Sequence, residues 1–128
     1  MRRLLLSAVL TAATVAAAHA ADPTRHVVVF FQSWSAKLDD PALQSLRNAA
    51  DWAKRHPDQS LVVIGYASTV GSAAANKDLS RLRAQIVADT LAADGVPPDR
   101  IRRQSKGAVD YAMDPLEARR VEVSLGAP

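Results

Sequence analysis

Gly65-Tyr66-Ala67-Ser68-Thr69-Val70-Gly71-Ser72-Ala73-Ala74-Ala75-Asn76-Lys77-Asp78-Leu79-Ser80-Arg81-Leu82-Arg83-Ala84 is the stretch that decides the fold of this 128-residue chain. The apolar run Leu61-Val62-Val63-Ile64 feeds it, and a long apolar-periodic segment follows. Its layout is therefore a strand, a glycine-punctuated loop and a helix. On a helical wheel Leu79, Leu82 and Ile86 form the apolar stripe with Val87 beside it, and Arg83 falls inside that stripe. Arg81, Gln85 and Asp89 face the other way. A guanidinium on the core-facing side needs a partner, because burying an unpaired charge is costly. The wheel predicts something anionic beside Arg83.

Outward from this segment the same reading gives the remaining elements. His26 to Phe31 is β-branched and aromatic, as suits a strand buried on both faces. Asp39-Asp40-Pro41 starts a helix, with Asp40 as N-cap and Pro41 in the first turn. Leu43, Leu46, Ala50 and Ala53 mark its apolar face, and it ends near His56-Pro57. Trp52 lies opposite that face and is either covered by another element or part of a partner surface. Strand two is Leu61 to Tyr66, and helix two runs from about Asn76 to Ala93 and stops at Gly95. Ile101 to Ser105 is a polar edge strand. Val121, Val123 and Leu125 alternate with Glu122 and Ser124 in a half-buried last strand. The order β-α-β-α-β-β is an α+β fold, two main helices packed on a small mixed four-stranded sheet.

The N-terminus carries a different message. Met1-Arg2-Arg3, an uncharged stretch from Leu4 to Ala18 and Ala18-His19-Ala20 form a basic n-region, an apolar h-region and an A-x-A site. Residues 1–20 thus read as a cleavable secretory signal, residues 21–25 as a flexible mature N-terminus and residues 26–128 as one domain. An uncleaved anchor is the competing reading of the first twenty. Export to the periplasm follows from cleavage. Lys and Arg number 16 against 13 Asp and Glu, so losing Arg2 and Arg3 leaves 14 minus 13, or +1. That balance and address do not suit nucleic acid. No cysteine is present, which removes disulfides and a lipidated cysteine. After the signal no apolar stretch approaches the length of a membrane span.

Catalytic signatures are missing. There is no Cys nucleophile and no Gly-x-Ser-x-Gly elbow, and the only histidines after the signal are His26 and His56. Those two offer no metal-ligand spacing, and the Gly65–Gly71 loop lacks the Lys-Ser/Thr ending of a phosphate-binding loop. The reading is not an enzyme, with no cofactor and no metal.

The motif itself resembles the core of the OmpA-like peptidoglycan-binding domain found at the C-termini of OmpA and MotB proteins. Gly65, Tyr66, Gly71, Asn76, Leu79, Ser80, Arg83 and Ala84 fall in its register without a gap. Val29-Phe30-Phe31 with Trp34 and Leu38, Gly95-Val96-Pro97, Ile101 with Gly107, and Arg119-Arg120-Val121-Glu122-Val123 also match. The resemblance spans about residues 26 to 125. It implies that an aspartate and the motif arginine together grip the free amino-acid end of diaminopimelate in the stem peptide of peptidoglycan. Here Arg83 is kept, but Ala67-Ser68 stands where the family has Thr-Asp. Ser68 supplies a hydroxyl and no charge.

The resemblance thus implies a non-catalytic cell-wall binding module, associated with peptidoglycan or the outer membrane, with weakened or altered affinity. Its site would be Arg83, Asn76, the backbone amides of Ser68, Thr69 and Gly71, and one of Arg119 and Arg120. Trp34 either floors that pocket or caps the core. The alternative is an interaction domain of the cell envelope that keeps the fold and binds a protein partner instead.

Overall fold

The computed structural model describes residues 26–108 and 115–126. The signal segment and residues 21–25 lie outside them. Four strands and two long helices follow in the order β1 (His26–Phe30), α1 (Asp40–Arg55), β2 (Leu61–Ala67), α2 (Ala73–Ala93), β3 (Ile101–Ala108), α3 (Pro115–Ala118) and β4 (Arg120–Leu125). A 3-10 turn, Pro98–Arg100, precedes β3. The sheet order is β1-β4-β2-β3, with β4 antiparallel to both neighbours and β2 parallel to β3. This is the expected α+β architecture with a mixed sheet, plus a four-residue α3 that the sequence pattern did not announce. β3 stands at the edge, as its polar sequence predicts.

Strand alternation builds one core. Val29, Leu61, Val63, Val121, Val123 and Leu125 pack in a single cluster with the buried residues of both helices. Phe30 points away from that cluster and is exposed.

The helices start earlier and face differently than the apolar wheel predicts. The N-cap of α1 is Asp39, not Asp40: its Oδ1 accepts from the Ala42 amide at 2.9 Å, and the Leu43 amide already bonds the Asp39 carbonyl. The face of α1 is also rotated. Ala42, Leu46, Ala49, Ala50 and Ala53 are buried with Trp52, whereas Leu43 is only half-buried. Trp52 is therefore covered, 7% exposed and stacked on His56 at 4.0 Å between ring centroids. It offers no partner surface.

In α2 the cap is Ser72, whose Oγ accepts from the Ala75 amide at 3.1 Å. The helix begins at Ala73 because three alanines, the best helix formers, precede Asn76. Its inward face is Asn76, Ser80, Arg83, Ala84, Val87, Ala88 and Leu91; Leu79 and Ile86 are half-buried and Leu82 is 47% exposed. Small side chains win this face for a steric reason. A Cβ built on Gly65 of β2 would collide with the Ser80 carbonyl oxygen and crowd the Ala84 Cβ at 3.1 Å. Helix and strand backbones meet at Gly65, and leucines on that face would hold them apart.

Arg100 ties the C-terminal end of α1 to the rest. Its Nη2 donates to the carbonyls of Ala53, His56 and Gln59, and its Nε to Gln59. Carbonyls at and just beyond the helix end are thus bonded from 40-odd residues away in sequence.

Gly65→Ala tests the close approach. Because the obstacle is backbone, the collision cannot be relieved by a rotamer change. The expected cost is about 3 kcal/mol of unfolding free energy, the upper end of overpacking penalties, read from urea titration by circular dichroism. Unaltered stability would show that α2 and β2 do not meet there.

Candidate functional site

Arg83 is the largest fully buried side chain among the described residues. Its Nε donates to the Ser35 carbonyl at 2.8 Å, its Nη2 to the Gln32 carbonyl at 3.1 Å and its Nη1 to the Tyr66 carbonyl at 3.4 Å. The guanidinium also lies 5.2 Å from the centroid of the Phe31 ring. The partners are therefore carbonyl dipoles from the β1–α1 loop and the end of β2. No acidic side chain among the described residues pairs with Arg83. Burial, reinforced by the nearby positive charge of Arg119, lowers the Arg83 pKa to about 10. At neutral pH it remains a cation, held in the core without a countercharge among the described residues.

A cleft of about 80 Å³ opens over this arginine. It is lined by Ser33, Trp34, Ser68, Val70, Asn76, Leu79, Arg83 and Arg119. They come from four parts of the fold. Ser33 and Trp34 belong to the β1–α1 loop, Ser68 and Val70 to the β2–α2 loop, Asn76, Leu79 and Arg83 to α2, and Arg119 to the entry of β4. Arg119 is held there by a reciprocal pair: the Phe31 amide donates to the Arg119 carbonyl at 2.8 Å, and Arg119 Nε donates to the Phe31 carbonyl at 3.0 Å.

Two residues fix the β2–α2 loop. Asn76 is buried, and its Nδ2 donates to the carbonyls of Val70 at 2.8 Å and Ser72 at 3.0 Å. Gly71 has φ of 92°, and a Cβ there would come 2.8 Å from Cζ2 and Cη2 of the Trp34 ring. Only glycine suits both demands. Trp34 itself sits at a positive φ of 53° and is 56% exposed, so it forms the rim of the cleft rather than capping the core. Ser68 is half-buried, and its Oγ accepts from the Val70 amide at 3.3 Å.

Of the residues the sequence singled out, Arg83, Asn76, Ser68 and Arg119 line the cleft, and Gly71 supports its rim. Thr69 is exposed and is not part of the lining. Arg120 faces elsewhere. Its guanidinium lies 4.0 Å over the Tyr66 ring, its Nε pairs with Glu122 Oε1 at 2.8 Å, and its Nη1 donates to the Glu117 carbonyl. Alternation along β4 sends Arg120 and Glu122 to the sheet face opposite Val121 and Val123. Ser33, Val70 and the carbonyls of Gln32 and Ser35 had no signal in the sequence, since a carbonyl acceptor is the same in every residue.

A model of the OmpA family matches residues 30–121. The chain belongs to the OmpA family. It is 35% identical over 79 residues to the peptidoglycan-associated lipoprotein of Brucella melitensis, covering 62% of this chain and 47% of that protein. To outer membrane protein A of Serratia odorifera it is 44% identical over 57 residues, covering 44% of this chain and 24% of that protein. The chain thus spans less than half the length of these two relatives. Among solved structures, the OmpA-like domain of FopA1 from Francisella tularensis aligns with a TM-score of 0.72 at 28% identity, covering 80% of this chain and 72% of that one. The peptidoglycan-associated lipoprotein of Burkholderia pseudomallei aligns at 0.71 and 22% identity, covering 77% and 88%, which speaks to the fold alone. No helix among the described residues is long and apolar enough to cross a membrane.

Asn76→Asp tests how the loop is held. A carboxylate would put oxygen against the Val70 and Ser72 carbonyls in place of a donor. The expected loss is about 1–3 kcal/mol, with faster amide exchange across residues 68–72. Unchanged exchange there would show that the loop is held by something other than Asn76.

Proposed function

We propose that this chain is an exported, non-catalytic peptidoglycan-binding module that takes the stem peptide at the Arg83 cleft. The observation that carries this reading is a buried guanidinium with no acidic partner among the described residues, beneath a small cleft. A desolvated cation of that kind is complementary to a ligand carboxylate, and an arginine fork meets both oxygens of one. The printed name of the Brucella relative, peptidoglycan-associated lipoprotein, supports the same ligand. The diaminopimelate end of the stem is bound more weakly than in a site with the motif aspartate, because Ser68 offers its ammonium a neutral oxygen. The signal-like pattern of residues 1–20 supports a periplasmic address for the module.

Co-sedimentation with purified sacculi tests this, with soluble diaminopimelate as competitor. The wild-type chain should sediment with sacculi. Arg83→Lys keeps the charge but loses the fork, and should weaken binding by at least tenfold while the protein stays folded. Ser68→Asp restores a carboxylate. A charge-assisted hydrogen bond contributes about 1.5–3 kcal/mol where a neutral one contributes about 1, so diaminopimelate should compete roughly tenfold better. Absence of sacculus binding by the folded wild type, or binding indifferent to Arg83→Lys, would reject this function and favour a protein partner.

A further inference from the structure

A second surface lies at the β3 edge of the sheet. β3 pairs with β2 alone, so alternate N–H and C=O groups along its outer side have no backbone partner among the described residues. The ladder is regular from Ile101, opposite Leu61, to Ser105, opposite Gly65. Lys106 is then an extra residue before Gly107 pairs with Tyr66. Within the regular stretch Arg102, Arg103 and Gln104 are exposed. A cleft runs between this edge and α2, lined by Arg81, Ala84 and Gln85 of the helix and Arg103, Gln104 and Ser105 of the strand. It shares no lining residue with the Arg83 cleft.

The charge of this edge has one sign. β3 carries Arg102, Arg103 and Lys106 and no acidic residue of its own. Alternation sends Arg103 to the α2 side, where it lines the cleft, and Arg102 to the other face of the sheet. Neither makes an ion pair among the described residues. Arg81, across the cleft, has Asp78 at 3.7 Å, but both side chains are well exposed and such a pair holds weakly. Charges on an edge strand deter pairing with other sheets, and here they deter selectively. A second copy of β3 would set arginines against arginines, whereas a strand carrying carboxylates is attracted. A row of alternating donors and acceptors also matches an extended peptide and not a lipid headgroup.

We infer that β3, with the cleft beside it, docks an acidic, extended segment of a partner protein as a fifth strand of the sheet. Two adjacent acidic residues in that segment meet both sets of cations, because successive side chains of a strand point to opposite faces. One reaches Arg103 and Arg81 in the cleft, and the next reaches Arg102 on the other face. The docking is compatible with a ligand at Arg83, since the two clefts have no residue in common.

The test titrates the full chain with three capped hexapeptides, acetyl-Thr-Val-Glu-Glu-Val-Thr-amide and its Gln-Gln and Lys-Lys counterparts, following backbone amide resonances and their hydrogen exchange. At low salt the Glu-Glu peptide should bind about tenfold tighter than the Lys-Lys peptide, and the margin should shrink as salt rises. Binding should slow exchange at alternate amides between Ile101 and Ser105, which separates strand addition from loose charge pairing. The double variant Arg102→Glu/Arg103→Glu should reverse the preference, and Arg83→Lys should leave it unchanged. Equal binding of the Glu-Glu and Lys-Lys peptides, binding of none of the three, unaltered exchange along β3, or a folded double variant that keeps the wild-type preference would each overturn the inference. Should the double variant fail to fold, Arg103→Gln replaces it: Glu-Glu binding should then weaken about threefold, and no change would overturn the inference equally. Binding to phosphatidylglycerol vesicles without binding to the peptides would overturn it in favour of an anionic membrane surface.

Discussion

A cation in the core sets the terms for the rest of this structure. Removing a guanidinium from water costs several kcal/mol unless dipoles or charges replace the water. Here the replacement is three carbonyls, two from the β1–α1 loop and one from the end of β2. Those carbonyls must converge on one point, so the loop from Gln32 to Ser35 is drawn against α2. Its sharp course, with Trp34 at positive φ, follows from that demand. The reach of Arg83 depends in turn on how near α2 lies to the sheet. Gly65, Ser80 and Ala84 make that distance short. The packing of small residues and the placing of the charge are thus one requirement.

Carbonyls share the charge of Arg83 without cancelling it. A carboxylate in their place would have formed a closed ion pair and cancelled the charge of Arg83. The depressed pKa of Arg83 reflects burial first and Arg119 second. Arg120 shows the contrast one residue away. Glu122 and the Tyr66 ring compensate it on the other face of the sheet, where it supports β4 rather than the cleft. Strand alternation alone separates these neighbours into two roles.

Much of this was legible in sequence because the informative residues are local. Gly65, Gly71, Asn76 and Arg83 lie within one strand-loop-helix unit, and their spacing fixes their relative positions. The wheel identified Arg83 as inward because helix geometry is rigid, yet it chose the wrong neighbours. It ranked residues by hydrophobicity, which put Leu82 inside, while the sheet required small side chains, which put Ser80 and Ala84 there. Trp52 was undecidable for a similar reason: the face of α1 is set by tertiary packing that a single helix does not record. Arg100 and the carbonyls of Gln32 and Ser35 act across long sequence separations through backbone groups that carry no residue-specific mark.

The identity of residue 68 is nearly independent of the fold, and this lets the chemistry of the cleft vary on a constant frame. The loop from Ser68 to Ser72 takes its shape from the two hydrogen bonds of Asn76 and from Gly71 fitting under Trp34. The Ser68 side chain adds one long bond to the Val70 amide, worth little beside those. A change of residue 68 therefore alters the charge of the cleft while the backbone around it stays where Asn76 and Gly71 put it. Arg83 is the opposite case, because the same three bonds that aim its guanidinium also pin the β1–α1 loop. Arg83 is built into the core and Ser68 sits on a surface turn. A change at residue 68 retunes the cleft without disturbing the core, whereas loss of Arg83 would disturb both.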